Sequence, residues 1–147
     1  MGLNLTSPLQ LIVAGSFLLF SACALPKPYV GDYVRYDNPL VCECMQLPHQ
    51  CEIQTEHYRI VITVKRGEAP DQYELEGVAH SKLPAVFSRL SSDSRFSLLI
   101  INDSKIIDNV NIFPQPDIAN TELTLKRKFS ATPFDAIAII YSVKSYG

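Results

Sequence analysis

Residues 58–65, YRIVITVK, indicate the fold class more clearly than any other part of the chain. They are rich in β-branched residues, and their alternation places every second side chain, from Tyr58 to Val64, on one face of a strand. Turn-forming residues follow from Gly67 to Asp71. We therefore expect a half-buried β-strand that ends in a turn.

Five further segments of this kind follow at spacings of about 10 to 15 residues. Residues 96–101, FSLLII, are a continuous apolar run, which is typical of a buried strand, and most of the other segments alternate. The five predicted strands are residues 73–79, 96–101, 106–112, 123–129 and 136–143. Residues 84–90 fit either a short helix, whose first turn Pro84 permits, or another strand.

Six strands with turns between them, and no long helical periodicity, predict an all-β protein. We expect a two-layer antiparallel β-sandwich, immunoglobulin-like or similar, with about six to eight strands and at most one short helix near residues 84–90. We place this domain at residues 39–147. A chain of about 125 residues buries roughly 65% of its unfolded surface, so the domain needs neither a metal nor a disulfide merely to fold.

The charges of the chain are confined to one part of it. Its 147 residues include 15 acidic and 13 basic side chains, for a formal net charge of −2. Residues 1–22 contain no Lys, Arg, Asp or Glu, so every charged side chain lies in the remainder. Because that remainder mixes both signs, there is no electrostatic reason to expect binding to nucleic acid.

An apolar run, LQLIVAGSFLLF at residues 9–20, lies in the uncharged part. It is shorter than the roughly 20 residues of a membrane-spanning helix and has the length of the apolar core of a signal peptide. The sequence Phe20-Ser21-Ala22-Cys23 resembles the lipobox of bacterial lipoproteins. The resemblance implies a signal peptide at residues 1–22, cleavage before Cys23, and acyl chains such as palmitate on the lipid that its sulfur carries.

The same resemblance implies a location in the cell envelope. In bacterial lipoproteins an alanine after the lipidated cysteine, here Ala24, goes with sorting to the outer membrane. Three alternatives stay open: a secretory signal cut after Ala22 or Ala24, an uncleaved apolar helix, and N-myristoylation of Gly2. We expect the lipidated Cys23 and a proline-containing tether to occupy residues 23–38, although Tyr33 and Tyr36 fit the start of an edge strand equally well.

Three cysteines and a histidine lie within residues 42–51, CECMQLPHQC. Because an exported protein meets an oxidising compartment, we expect an intrachain disulfide here. The preferred pairing is Cys44 with Cys51, and the second choice is Cys42 with Cys51. A bond between Cys42 and Cys44 is disfavoured, because neighbours one residue apart in an extended chain are at the edge of the allowed Cα separation.

Metal binding is the alternative for the same segment. Cys42, Cys44, His49 and Cys51 offer thiolate and imidazole ligands for zinc or copper, although their spacing differs from that of standard zinc modules. If Cys23 carries a lipid, three cysteines are left, so one of them is unpaired or joins a second chain. A disulfide-linked dimer is therefore a further expectation.

The sequence contains no recognisable catalytic motif and no glycine-rich phosphate loop. Glu74 and Glu76 face one way on a predicted strand, but we interpret them as its solvated face, and Lys126 and Lys128 as charges that discourage edge pairing. We therefore expect a binding or structural module of the envelope, without cofactor or catalytic activity, that contacts another envelope protein or a ligand. The alternative is a periplasmic metal or thiol-redox protein.

Overall fold

A computed structural model of the chain describes residues 27–144. The predicted signal peptide at residues 1–22, the predicted lipidation site Cys23 and the first part of the predicted tether lie outside the described residues. Within residues 27–144, no helix is long and apolar enough to cross a membrane.

The described residues form nine strands and one short helix. The strands are β1 (Val41–Glu43), β2 (His49–Gln54), β3 (Tyr58–Arg66), β4 (Gln72–Ser81), β5 (Ser94–Asn102), β6 (Lys105–Ile112), β7 (Gln115–Asp117), β8 (Glu122–Ser130) and β9 (Ala136–Val143). A 3₁₀ turn at Pro84–Val86 leads into helix α1 (Phe87–Asp93).

Two antiparallel sheets contain all of these strands. The four-stranded sheet has the order β1-β9-β5-β6, and the five-stranded sheet has the order β2-β3-β4-β8-β7. The predicted β-sandwich is therefore confirmed, and its six predicted strands correspond to β3, β4, β5, β6, β8 and β9. Helix α1 decides the ambiguity at residues 84–90 in favour of the helix, with Phe87 and Leu90 buried.

The three remaining strands were not predicted because each lacks a strong pattern of its own. β1 and β7 have only three residues each, and β2 mixes polar and apolar residues over six. Strands this short are stabilised by the neighbours with which they pair, which a local pattern does not reveal. β9, the last of the strands within residues 27–144, lies between β1 and β5 in the four-stranded sheet.

The five-stranded sheet has one buried and one solvated face. On β3 the alternation is as predicted: Tyr58, Ile60, Ile62 and Val64 are all fully buried, and the residues between them are partly exposed. On the solvated face, Lys65 lies 3.4 Å from Glu74 and 3.3 Å from Glu76, which are both on β4. Side chains from three strands form this charge ladder: Lys65, Glu74, Glu76, Lys126 and Lys128.

In the four-stranded sheet, by contrast, the central part of β5 is buried on both faces. Leu98 and Ile100 of β5 belong to the main core between the sheets. Leu99 and Ile101, which point the other way, belong to a second apolar cluster on the outer face, together with Ile106. The apolar run at residues 96–101 follows from this arrangement, because residues 98–101 are buried whichever face they point to.

Residues 27–40 cover part of the outer face of the four-stranded sheet. The amide of Gly31 donates to the carbonyl of Ile106 (2.9 Å), and the amide of Ile106 donates to the carbonyl of Asp32 (2.9 Å). Tyr33 forms only an isolated bridge with Lys105, so the predicted edge strand is reduced to one residue pair. Residues 27–38 of the predicted tether are therefore packed against the domain.

Tyr36 fixes this segment to the end of the sheet. Its hydroxyl donates to Asp135 Oδ1 and accepts a hydrogen bond from the amide of Ser104 (2.9 Å). The second oxygen of Asp135 accepts from the amide of Asp103 (3.3 Å). Burial and the hydrogen bond to Asp135 raise the pKa of Tyr36, so the phenol stays protonated and keeps donating at neutral pH.

Candidate functional site

Cys42 and Cys51 form a disulfide that joins the two sheets. Cys42 lies on β1 of the four-stranded sheet and Cys51 on β2 of the five-stranded sheet, with 6.2 Å between their Cα atoms. This separation is within the range of ordinary disulfides. The second predicted pairing is thus the one formed, and the preferred pairing of Cys44 with Cys51 is wrong.

Cys44 is unpaired because it lies beyond the end of β1, in the core. Only 4% of the residue is exposed, and its amide donates to the carbonyl of Asp135 (2.8 Å). Its thiol contacts the carbonyl of Cys42 at 3.4 Å. Burial, together with the charge of Asp135, raises the pKa of the Cys44 thiol to about 11. The thiol is therefore protonated at neutral pH, which makes it a poor nucleophile and a poor metal ligand.

The predicted metal set is only partly assembled. The ligand atoms of Cys42, His49 and Cys51 lie within 4.8 Å of one another. Cys44 is not part of this group, so the structure offers three of the four predicted ligands. The sulfur atoms of Cys42 and Cys51, two of these three donors, are joined to each other in the disulfide. The residues fit a soft metal ion only after reduction, because the thiolate is the species that binds metal.

His57, His80 and the paired glutamates contact other side chains. His57 Nδ1 lies 2.7 Å from the hydroxyl of Tyr141, and His80 Nδ1 lies 3.5 Å from a carboxylate oxygen of Glu122. Glu74 and Glu76 are part of the charge ladder on the solvated face, as expected.

A broad groove runs along the outer face of the four-stranded sheet, beside the segment at residues 27–40. Its volume is about 1630 Å³. Leu99 and Ile140 contribute to its lining. Three aromatic residues of the groove are unusually exposed for their size: Tyr29 at 53%, Tyr33 at 78% and Phe113 at 74%. Exposed aromatic rings around an apolar surface are typical of a site that contacts another molecule.

Asn109 adds a polar feature to the same groove. Its Nδ2 donates to the carbonyl of Pro28 (3.0 Å), which fixes the orientation of the amide. Its Oδ1 is buried and has no hydrogen-bond partner among the described residues. A buried acceptor without a partner is destabilising.

Sequence reasoning did not find this groove. Two signals in the sequence point toward it: the tyrosines at residues 29, 33 and 36, and the continuous apolar run at residues 96–101, which predicts that something covers both faces of β5. Neither signal identifies Phe113, because that residue reaches the groove from the chain that follows β6.

The fold and the groove together define a class: a small antiparallel β-sandwich with one partly covered outer face and exposed aromatic side chains beside it. No protein-family model matches the chain, and comparisons with curated proteins and with solved structures find no match. Its function is accordingly inferred from its own surface.

Proposed function

We propose that this protein is a lipid-anchored binding module of the bacterial cell envelope, without catalytic activity, that uses the groove to contact another envelope protein. The observation that carries the proposal is the exposure of Tyr29, Tyr33 and Phe113 beside the groove. Aromatic residues are enriched in protein interfaces, where they provide most of the binding energy when they become buried.

The position of the groove along the chain supports the same proposal. Lys27, which lines the groove, comes four residues after Cys23, the proposed lipidation site. Four residues span at most about 14 Å even when fully extended. An anchor at Cys23 therefore holds the groove close to the membrane surface, where it meets partners that are themselves in or on the outer membrane. Ala24 supports that choice of membrane.

Site-specific photo-crosslinking in the natural host tests the groove. A photoreactive amino acid at Phe113 should give a discrete product with one envelope protein, whereas the same amino acid at Ile118 should not. Ile118 is a matched control because it is 54% exposed and does not line the groove. In a reconstituted complex with that protein, Phe113→Ala should weaken binding at least about tenfold relative to Ile118→Ala. Equal affinities for the two variants would contradict the proposal.

The anchor has a separate test. The protein extracted from membranes of its host should have the mass of residues 23–147 plus acyl groups, and Cys23→Ser should abolish both the acylation and the membrane association. A polypeptide without lipid would contradict the anchor but leave the groove experiment valid.

The second candidate function is reduction-dependent metal binding, and it is favoured by the proximity of Cys42, His49 and Cys51. A dithiol reductant would give two electrons and two protons to the disulfide and would itself become a disulfide. The two thiols would then lose their protons on binding zinc or Cu(I), with His49 as third ligand.

Metal content separates this candidate from the first. About one zinc or Cu(I) per reduced chain should be retained through buffer exchange, less in His49→Ala and none in Cys51→Ser, with His80→Ala as the control. Equal retention by the reduced Cys51→Ser variant would exclude the site.

A disulfide-linked dimer through Cys44 would require the core around that buried thiol to open. Non-reducing electrophoresis of the Cys44→Ser variant tests this possibility.

A further inference from the structure

A second cavity lies on the side of the sandwich opposite the disulfide. Cys42 and Cys51 join the sheets through the edge strands β1 and β2. On the other side, a cleft of about 530 Å³ is lined by residues of β6 and β8 and by Tyr73 of β4. Its volume is in the range of small-molecule sites. It shares Lys27, Asn109, Asn111 and Phe113 with the groove, but Arg127 lines only the cleft.

Arg127 is the polar exception on the inner face of β8. Leu123, Leu125 and Phe129, which alternate with solvent-facing residues on the same strand, are all buried. Arg127 shares their face, and across the strands it pairs with Leu75, which is fully buried. Its Nε is buried without a hydrogen-bond partner. Because a guanidinium is always charged, an unpaired buried N–H of this group is strongly destabilising.

The other cations of the cleft already have carboxylate partners. Lys27 Nζ lies 2.7 Å from Asp108 Oδ1, and Lys128 Nζ lies 3.5 Å from Glu74 Oε1. Within residues 27–144, Arg127 has no carboxylate oxygen within 4.0 Å. Arg127 is therefore the one cation lining the cleft that has no carboxylate partner among the described residues.

We propose that the cleft binds a small monoanionic ligand whose carboxylate pairs with the guanidinium of Arg127 and whose apolar part contacts the aromatic wall. Tyr73 and Phe129 form that wall, with their rings stacked at a centroid distance of 5.6 Å. A planar carboxylate matches the donor geometry of a guanidinium. A phosphate dianion fits less well, because Glu68 and Glu74 also line the cleft and would repel a second negative charge.

Titration of the full chain with N-acetylphenylalanine tests the proposal. The control ligand is the amide of the same compound, which lacks the negative charge. The acid should bind at least about tenfold more tightly than the amide, and it should shift the side-chain Nε–H resonance of Arg127 in NMR spectra. Arg127→Met should lose this preference for the acid.

Lys126→Met is the matched control variant, because Lys126 is adjacent on β8 but points to the solvated face. It removes the same charge and should leave the affinity unchanged. Equal binding of acid and amide, no binding of either at millimolar concentration, or equally tight binding of inorganic phosphate would overturn the proposal. If Arg127→Met does not fold, an unchanged Arg127 Nε–H resonance in the wild-type protein at saturating acid gives the same negative answer. Because Arg127 does not line the groove, this result is independent of the proposed partner and anchor.

Discussion

The outer face of the five-stranded sheet is solvated, whereas that of the four-stranded sheet is partly covered by residues 27–40. On the five-stranded sheet, lysines and glutamates of the charge ladder meet solvent. On the four-stranded sheet, Leu99 and Ile101 are covered by the segment that contains Val34 and Tyr36. The number of buried faces therefore determines whether the sequence of a strand alternates or is apolar throughout.

The largest effect is expected from removing a buried side chain of the apolar cluster on the outer face of the four-stranded sheet. Ile101→Ala should lower the free energy of unfolding by about 2–5 kcal/mol, because the side chain is fully buried in the outer cluster. Urea denaturation followed by circular dichroism measures it. Val61→Ala is the matched control on the solvated face of β3, where the side chain is only partly buried, and should cost about 1 kcal/mol or less. Equal losses for the two variants would remove the distinction between the faces.

The next effect concerns the bond between the sheets. Replacing both Cys42 and Cys51 by Ala should lower the free energy of unfolding by about 2–3 kcal/mol, because the disulfide closes a separation of nine residues in the unfolded chain. Reductant should destabilise the wild-type protein by a similar amount and leave the double variant unchanged. A double variant as stable as the oxidised wild type would mean that packing alone holds β1 and β2 together.

A smaller effect is expected at the attachment of the covering segment. Tyr36→Phe removes the hydroxyl that bonds Asp135 and Ser104, so it should cost about 1–3 kcal/mol. Amide hydrogen exchange should accelerate at Gly31 and Val34, whose amides bond the β6 edge and the preceding turn. Amides of β3, in the other sheet, are the internal control. Unchanged exchange at residues 31 and 34 would show that the segment is held by apolar contacts alone.

The smallest effect is expected on the solvated face. Desolvation raises the pKa of Glu74, but hydrogen bonds and charges from Lys65 and Lys128 outweigh it, so the net pKa lies below the ordinary value of 4.5. A lowered pKa means that the ladder contributes stability above that value and loses it as pH falls through the folded-state pKa. The pKa of Lys65 is raised by its hydrogen bonds to Glu76 and Glu74, so its contribution is lost only as pH rises above 10.5.

Urea midpoints measured against pH check this expectation. Glu74→Gln should be less stable than the wild type at neutral pH, and the difference should vanish in strong acid and in 1 M salt. Glu68→Gln, at an exposed glutamate outside the ladder, is the control and should show no such dependence. A difference that persists in high salt would point to packing rather than charge.

Much of this architecture was predictable from local patterns. The alternation on β3 and the apolar run on β5 predicted the sandwich. Both patterns depend only on whether successive side chains of one strand point to the core or to solvent. The covering segment was not predictable in the same way. Pro26, Pro28 and Gly31 indicate an extended chain, but only the hydrogen bonds to Ile106 and Ser104 determine that it lies on the sheet.

The disulfide shows the same limit in the candidate site. Cys42 and Cys44 would close loops of similar size with Cys51, and both are buried. The choice between them depends on where β1 ends relative to β2 in the opposite sheet, which is a property of the whole fold. The groove and the cleft are likewise formed by distant parts of the chain, so no contiguous motif marks them.

The central position of β9 has a consequence for synthesis. β9 leaves the ribosome after the other eight described strands, yet it pairs with β5 over eight residues and also with β1. Until it arrives, a nascent chain presents β5 with one backbone edge unpaired and its apolar side chains incompletely covered. Exposed apolar strand edges promote aggregation. The nascent chain is therefore most prone to aggregate in the interval before β9 has emerged.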